Sequence, residues 1–383
     1  MIYLDNSATT KPYPQVIEAV NRALTDDFGN PSTLYTLGLS AEKTVKAARK
    51  SVAKSIGAQE SEVYFTSGGT ESDNAAIFGA WEARKKQGRR IITTAVEHPA
   101  VLRCFEALKS RGADVVVLPV DGNCSLDLED LKKALTQDTV LVSVMHVNNE
   151  TGAVFPVKKI SEILDSYAKS AGIAKPILHS DCVQSYGKLP LDVKALGADM
   201  ISVSAHKVHG PKGVGALYVR NGLHIPAFIC GGGQEKGFRS GTENVPGIAG
   251  FGAASEMIRP GRFEVRDILK SLISESIADV KINSAEDSCT SVLNVSFNGC
   301  RAEVLLHQLE QDGIFVSTGS ACSSKDKGSH VLSAMGLKAS EIEGAVRFSF
   351  SRENTEEEMR VTAERLKFYV EGQRKLRSAF KKK

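Results

Sequence analysis

The chain has 383 residues, of which 42% are hydrophobic and 24% charged, and its 48 Lys and Arg stand against 45 Asp and Glu for a formal net charge of +3. This composition excludes a disordered, collagenous or fibrous chain, and the near balance of charge leaves no strong field for gathering nucleic acid or anionic lipid. The length predicts two domains at about 150 residues each.

The opening MIYLDNSATT has neither the basic nor the apolar region of a secretory signal. No run in the sequence reaches the roughly 18 apolar residues of a membrane span. A cytoplasmic protein with no membrane partner is expected. Seven cysteines, at 104, 124, 182, 230, 289, 300 and 322, include no C-x-x-C, so neither a disulfide framework nor a zinc site is expected.

In chain order, the runs EVYFTS, RIITTAVEH, ADVVVLPV, TVLVSVMHV, PILHSD, DMISVSAHK and GVGALYVR alternate with helical patterns from about residue 60 to 220. That rhythm predicts an α/β fold with a largely parallel sheet covered by helices on both faces. After about Gly250 it changes. A helix-like stretch runs from Gly261 to Ala278, strands are predicted around Ser291 to Phe297 and Val346 to Phe350, and a long helix follows. Thr355 and Glu358 predict a capping box for it, and Met359, Ala363, Leu366 and Val370 its buried face.

Ligands of open α/β sheets bind beyond the carboxyl ends of the strands, so the polar residues there are the candidates. Ser67-Gly68-Gly69-Thr70-Glu71-Ser72-Asp73, between a strand and a helix, suits an anion held by backbone N–H groups, and it also suits a plain turn with Thr70 and Asp73 as a capping pair. Asp181, ending PILHSD with Gln184 just beyond, can hold a heterocyclic N–H⁺ or cap a helix. Lys207 follows a buried strand in Ser204-Ala205-His206-Lys207, where loss of water lowers an amine's pKa and suits it to Schiff-base chemistry. His98, after RIITTAVE, is a candidate acid or base. The sequence has neither G-x-G-x-x-G nor G-x-x-x-x-G-K-[ST], which removes the main support for a dinucleotide or nucleoside triphosphate. From Ser317 to His330 the chain holds five Ser, two Gly and two Lys with scarcely an apolar residue; an exposed, mobile loop is predicted, with Cys322 as a surface thiol whose thiolate Lys325 and Lys327 favour. The basic tail, Lys375 to Lys383, reads as a solvated helix end and carries no nucleic-acid signal.

Together these segments resemble the pyridoxal-phosphate-dependent cysteine desulfurases, on the class I (NifS/IscS-like) branch. The resemblance runs through Tyr3 to Thr10, Gly29 to Ser32, Phe65 to Asn74, Glu97-His98, Asn148 to Gly152, Asp181 to Gln184, Ser204 to Gly215, Gly231 to Asn244, Ser320 to Cys322 and Arg347 to Glu357. It implies the aminotransferase-like fold type I. A large cofactor-binding domain, 14–255, would hold a mostly parallel seven-stranded sheet, and residues 1–13 and 256–383 would form a smaller α+β domain carrying the Cys322 loop.

The same resemblance implies that Lys207 holds pyridoxal 5'-phosphate, Asp181 keeps its ring nitrogen protonated, Gln184 bonds its phenolic oxygen, and His98 stacks on the ring and moves protons. Gly69, Thr70, Ser204 and His206 would bind the phosphate, joined by Thr242 of a second subunit in a homodimer. Asn149 and Arg352 would take the carboxylate of L-cysteine, and Cys322 its sulfur, as a persulfide for an acceptor such as an iron-sulfur scaffold. A selenocysteine lyase or aminotransferase of the same fold, or a non-enzymatic sulfur-delivery scaffold, stays open at this point.

Overall fold

The computed structural model describes residues 1–318 and 328–381. Its centre is a seven-stranded sheet in the order Val63–Thr66, Gly215–Val219, Met200–Ser204, Ile177–Asp181, Thr139–Ser143, Arg90–Thr94, Asp114–Leu118. Only Gly215–Val219 runs against its neighbours, so the sheet is mostly parallel, as the alternating pattern predicts. The four central strands from Thr139–Ser143 to Gly215–Val219 are buried at every residue, which is why their sequences read as continuous apolar runs rather than alternating ones.

A second, antiparallel sheet of Val280–Ile282, Val292–Phe297 and Ala345–Ser349 lies in the C-terminal part. Its core joins Leu4 to Phe263, Leu269, Phe297, Leu305, Phe348 and the buried face of the last helix, Glu356–Lys381. That face consists of Met359, Ala363, Leu366 and Val370, and the capping box forms, Thr355 N–H donating to Glu358 and Glu358 N–H to Thr355 Oγ1. The short helix His330–Ala334 instead packs into the core of the large sheet through Val331 and Leu332.

The N-terminus ties the two parts together. Ile2–Tyr3 pairs in parallel with Ile314–Phe315, and Asp5 bridges to Ser349. The chain then crosses to the large sheet, where Thr10 bonds the His206 carbonyl through both its backbone N–H and its hydroxyl. This crossing carries Ser7 and Ala8 to the carboxyl edge of the strands. Among the described residues no helix is long and apolar enough to cross a membrane.

Candidate active site

Thr66, Asp181 and Ser204 end strands at one edge of the sheet, and Gly215 begins the antiparallel strand there, paired with both Thr66 and Ser204. A Cβ on Gly215 would stand 2.7 Å from Gly68 Cα and 2.7 Å from the Val203 carbonyl. Only glycine lets the loop after Thr66 lie this close to the strand.

Lys207 ends the single turn Ala205–Lys207 that follows Met200–Ser204. Its Nζ donates to the Ser7 carbonyl at 2.6 Å and the Ala8 carbonyl at 2.8 Å. Loss of water, then the positive charges of Lys188 and Arg347, lower its pKa to about 7, against the opposing pull of Asp5 and Asp181. An ammonium cannot attack a carbonyl carbon; a neutral amine can. Capture of an added aldehyde by the cofactor-free protein is therefore expected to speed up as pH rises through a midpoint of about 7, because the neutral fraction grows. Stopped-flow absorbance would read it, and a midpoint at 10.5 would show a fully solvated amine.

Asp181 is 6% exposed and its Oδ1 accepts from the Val183 N–H at 2.9 Å. It is the last residue of a buried strand and caps no helix. Burial pushes its carboxyl up, while His98, the Val183 N–H and Lys207 pull it down. Gln184 Nε2 donates to the Ser7 carbonyl at 3.0 Å, and its Oε1 accepts from Lys188.

His98 precedes the helix Pro99–Ser110 and caps it, its Nδ1 accepting the Ala100 N–H at 3.1 Å. That donor assigns the ring proton of the neutral form to Nε2. The ring is exposed on one side, and the protein around its inner side lowers its pKa, opposed by Asp181 and helped by Lys207 and His330. Neutral His98 at pH 7 is thus able to accept or release a proton. Beneath it, fully buried Glu97 accepts from Thr94 Oγ1 and the Met145 N–H, and burial raises its carboxyl to about 8.

The capping reading of Thr70 and Asp73 is overturned. The helix spans Gly69–Arg84, its N-cap is Gly68 with no side-chain bond, and Asp73 is buried 3.6 Å from His179. Gly68 has φ +152 and ψ −176, a backbone region reserved for glycine. The first N–H groups of that helix, at Gly69 and Thr70, have no carbonyl one turn earlier to bond. Ser204 Oγ is buried without a hydrogen-bond partner, and a Cβ on Gly68 would lie 3.9 Å from it. His206 is half-buried, its Nδ1 3.3 Å from Thr9 Oγ1, and burial followed by the charges of Lys207, Lys212 and Lys188 lowers its pKa to about 4. A glycine cradle, unpartnered donors and a desolvated amine at one sheet edge fit the phosphate and aldehyde of pyridoxal phosphate.

The remaining candidates ring this edge. Asn149 is half-buried, and its carbonyl accepts from Arg347 Nη1 at 3.1 Å. Arg352 is exposed, its Nε donates to the Arg259 carbonyl at 2.7 Å, and it lines a cavity of ≈ 50 Å³ together with Lys207, Lys188 and His209. Thr242 is exposed and shares a cavity of ≈ 170 Å³ with Ser67 and Gly213 of its own chain. Its segment is held there by Arg239 on Glu71 at 2.8 Å and by Arg49 on buried Glu235, whose backbone is left-handed at φ +47.

Cys322, Lys325 and Lys327 lie outside the described residues, but both flanks of their segment are placed. Ser317 exchanges two backbone bonds with Arg347, Ser329 Oγ donates to Glu150, and His330 Nε2 donates to the Glu97 carbonyl.

Sequence reasoning assigned no role to four groups that the structure brings in. The Ser7 and Ala8 carbonyls clasp Lys207, buried Lys188 holds Gln184, and Arg347 links Asp5 at 2.8 Å to Asn149. The small polar run DNSATT, which fits neither helix nor strand periodicity, is the one signal that could have drawn attention to Ser7.

The chain matches the aminotransferase class-V family over residues 2–361. It is 44% identical to a cysteine desulfurase of Trichormus azollae, the alignment covering 100% of this chain and 95% of that protein. A solved NifS-like protein superposes with a TM-score of 0.87 at 37% identity, covering 97% of this chain and 99% of the other. A structure described as SspA in complex with cysteine superposes at 0.81 with 34% identity, covering 91% and 99%. With that extent of similarity, the chain belongs to the class-V aminotransferase family and, within it, to the pyridoxal-phosphate-dependent cysteine desulfurases.

Proposed function

We propose that this enzyme takes sulfur from L-cysteine, releasing L-alanine and leaving a persulfide on Cys322, with Lys207, His98 and Cys322 as its catalytic residues. The observation that carries the assignment of Lys207 is its desolvated amine, set by two N-terminal carbonyls at the sheet edge that also holds Asp181 and Ser204. The relative bound to cysteine supports the substrate.

Pyridoxal phosphate, when bound, supplies an aldehyde that condenses with amines and a ring that draws electrons from the attached carbon. The chain's residues do the rest. Gly69 and Thr70 N–H groups, Ser204 Oγ and neutral His206 would bind the phosphate, joined by Thr242 of a second subunit. The Asp181 carboxylate would keep the ring nitrogen protonated, and the Gln184 amide would donate to the phenolic oxygen. Lys207 would hold the aldehyde through its amine, and as a neutral amine it would be the group placed to take and return protons there. Asn149 and the planar fork of Arg352 orient the substrate carboxylate. His98 Nε2 carries the proton exchanged near the reacting carbon.

The Cys322 thiolate attacks the substrate sulfur, so that an S–S bond forms as the C–S bond breaks. The electron pair stays with carbon, which is protonated and leaves as alanine.

The active form is a homodimer. Exposed Ile17, Leu24, Phe28, Leu34, Tyr35, Leu37 and Leu39 concentrate apolar surface in one stretch of chain, which supports this. It works in the cytoplasm, where thiols stay reduced, in keeping with the six free cysteines among the described residues. The persulfide passes to an acceptor such as an iron-sulfur scaffold, and the chain divides at 14–255 against 1–13 and 256–383.

The test is alanine and sulfide formed by the cofactor-loaded protein from L-cysteine and a thiol, with no keto acid present. Equal amounts of both products are expected. Alanine that appears only when a keto acid is supplied would replace the proposal with transamination.

A further inference from the structure

Lys188 has no part in the chemistry described above, yet its surroundings are unusual. It is 5% exposed, and among the described residues no carboxylate lies within ion-pair distance of its Nζ. The hydrogen bond it makes runs from Nζ to Gln184 Oε1 at 2.8 Å. Burying an ammonium with so little compensation is costly, so some other gain must offset it.

An ammonium can only donate. It therefore holds Gln184 Oε1 toward itself and turns Nε2 the other way, where Nε2 donates to the Ser7 carbonyl at 3.0 Å. The same carbonyl accepts from Lys207 Nζ at 2.6 Å. Lys188, Gln184, Ser7 and Lys207 thus form one continuous chain of hydrogen bonds in which every donor and acceptor is assigned. Without a donor at position 188, the Ser7 carbonyl alone would hold the Gln184 amide in this orientation.

We propose that Lys188 is a positioning residue: through the Gln184 amide it keeps a donor aimed at the Lys207 side of the site, and it keeps a second positive charge beside that amine. The inference rests on Lys207 holding the cofactor. The charged and titratable groups around Lys207 are Lys188, Arg347, Asp5 and Asp181, with His98 and His206 beside them. Those around Lys188 are Arg347, Lys207, His206, His209 and the Cys289 thiol. Burial is what chiefly lowers Lys188, to about 8, and Cys289 opposes it. Lys188 is the leading charge, after loss of water, in lowering Lys207.

The experiment is a pH titration of the visible absorption of the bound cofactor, which follows protonation of the Lys207 nitrogen, in wild type, Lys188→Met and Lys188→Arg at equal cofactor content. In the Met variant the midpoint is expected to rise by more than about 0.5 pH unit, because a nearby positive charge and a directed donor both oppose protonation. The Arg variant, which keeps charge and donors, is expected within about 0.2 unit of wild type. If the Met variant does not fold, Lys188→Gln, polar and uncharged, takes its place with the same expected rise. A neutral variant that binds cofactor with an unmoved midpoint overturns the inference alone. A wild type that binds no cofactor overturns the Lys207 reading, and this inference with it.

Discussion

Lys207→Ala is expected to reduce alanine release from L-cysteine by at least about 10³-fold, since one positioned proton-transfer group contributes 10² to 10⁴ and this residue also holds the aldehyde. The geometry explains the size of the loss. The turn Ala205–Lys207 places Nζ within 2.6 and 2.8 Å of two carbonyls, so no other amine is set to replace it. Lys188 is the nearest chemical alternative, but it is buried and committed to Gln184. The fold is expected to survive, because the strand Met200–Ser204 is held by its own ladder on both sides. Circular dichroism would check the fold, and single-turnover alanine release the activity; activity within tenfold of wild type would remove Lys207 from the mechanism. Added small amines should restore part of the rate in the variant, because they fit the space the side chain leaves.

Cys322→Ser is expected to abolish multiple turnover with a loss of at least about 10²-fold while cofactor content stays at the wild-type level. A hydroxyl at neutral pH is almost wholly protonated and is a poor nucleophile toward sulfur, whereas a thiol with a pKa near 8.5 supplies thiolate. Cofactor retention separates this outcome from that of Lys207→Ala. The residues on either side of the Cys322 segment are placed beside the site. Ser317 is fixed to the backbone of Arg347, whose side chain reaches Asp5 and the Asn149 carbonyl, and His330 is fixed to the carbonyl of Glu97, next to His98. Ser317 and His330 thus stand beside Arg347 and His98, two groups whose charges act on or feel Lys207. Mass spectrometry after one turnover would locate the added sulfur at residue 322 in wild type; sulfur on another cysteine would reassign the nucleophile.

Among the other cysteines the structure offers poor substitutes. Burial pushes the Cys104, Cys124 and Cys182 thiols up to about 12, so they supply no thiolate near neutral pH. Cys230 is exposed but follows Ile229 in the segment leading to Thr242. Cys289 and Cys300 are buried as well, and the resemblance makes Cys322 the thiol to test first, with Cys230 as the exposed control.

Lys207, Asp181 and His98 were legible in the sequence because each stands at the carboxyl end of an apolar strand or within four residues of it, and the carboxyl edge of a parallel sheet is where ligands bind. The last helix was legible too, since its capping box and its buried face are local patterns. The loop after Phe65 was misleading by the same local logic. Thr70 and Asp73 have the spacing of a capping pair, but the helix starts at Gly69, and the approach of Gly68 to Gly215 leaves the helix end uncapped. That approach joins residues almost 150 positions apart.

The sequence by itself determined the α/β rhythm, the strand-end positions of the reactive side chains and the small polar character of the N-terminal run, all properties of neighbours along the chain. Only the tertiary structure decided that Ser7 and Ala8 clasp Lys207 and that Arg347 joins Ser317 to Asp5 and Asn149. The clasp on Lys207 depends on the first residues pairing with Ile314–Phe315 and Ser349 before crossing to the large sheet. Pairing between distant segments is set by where buried surfaces and unpaired backbone groups find partners in space, and no periodicity or motif within the chain encodes that choice.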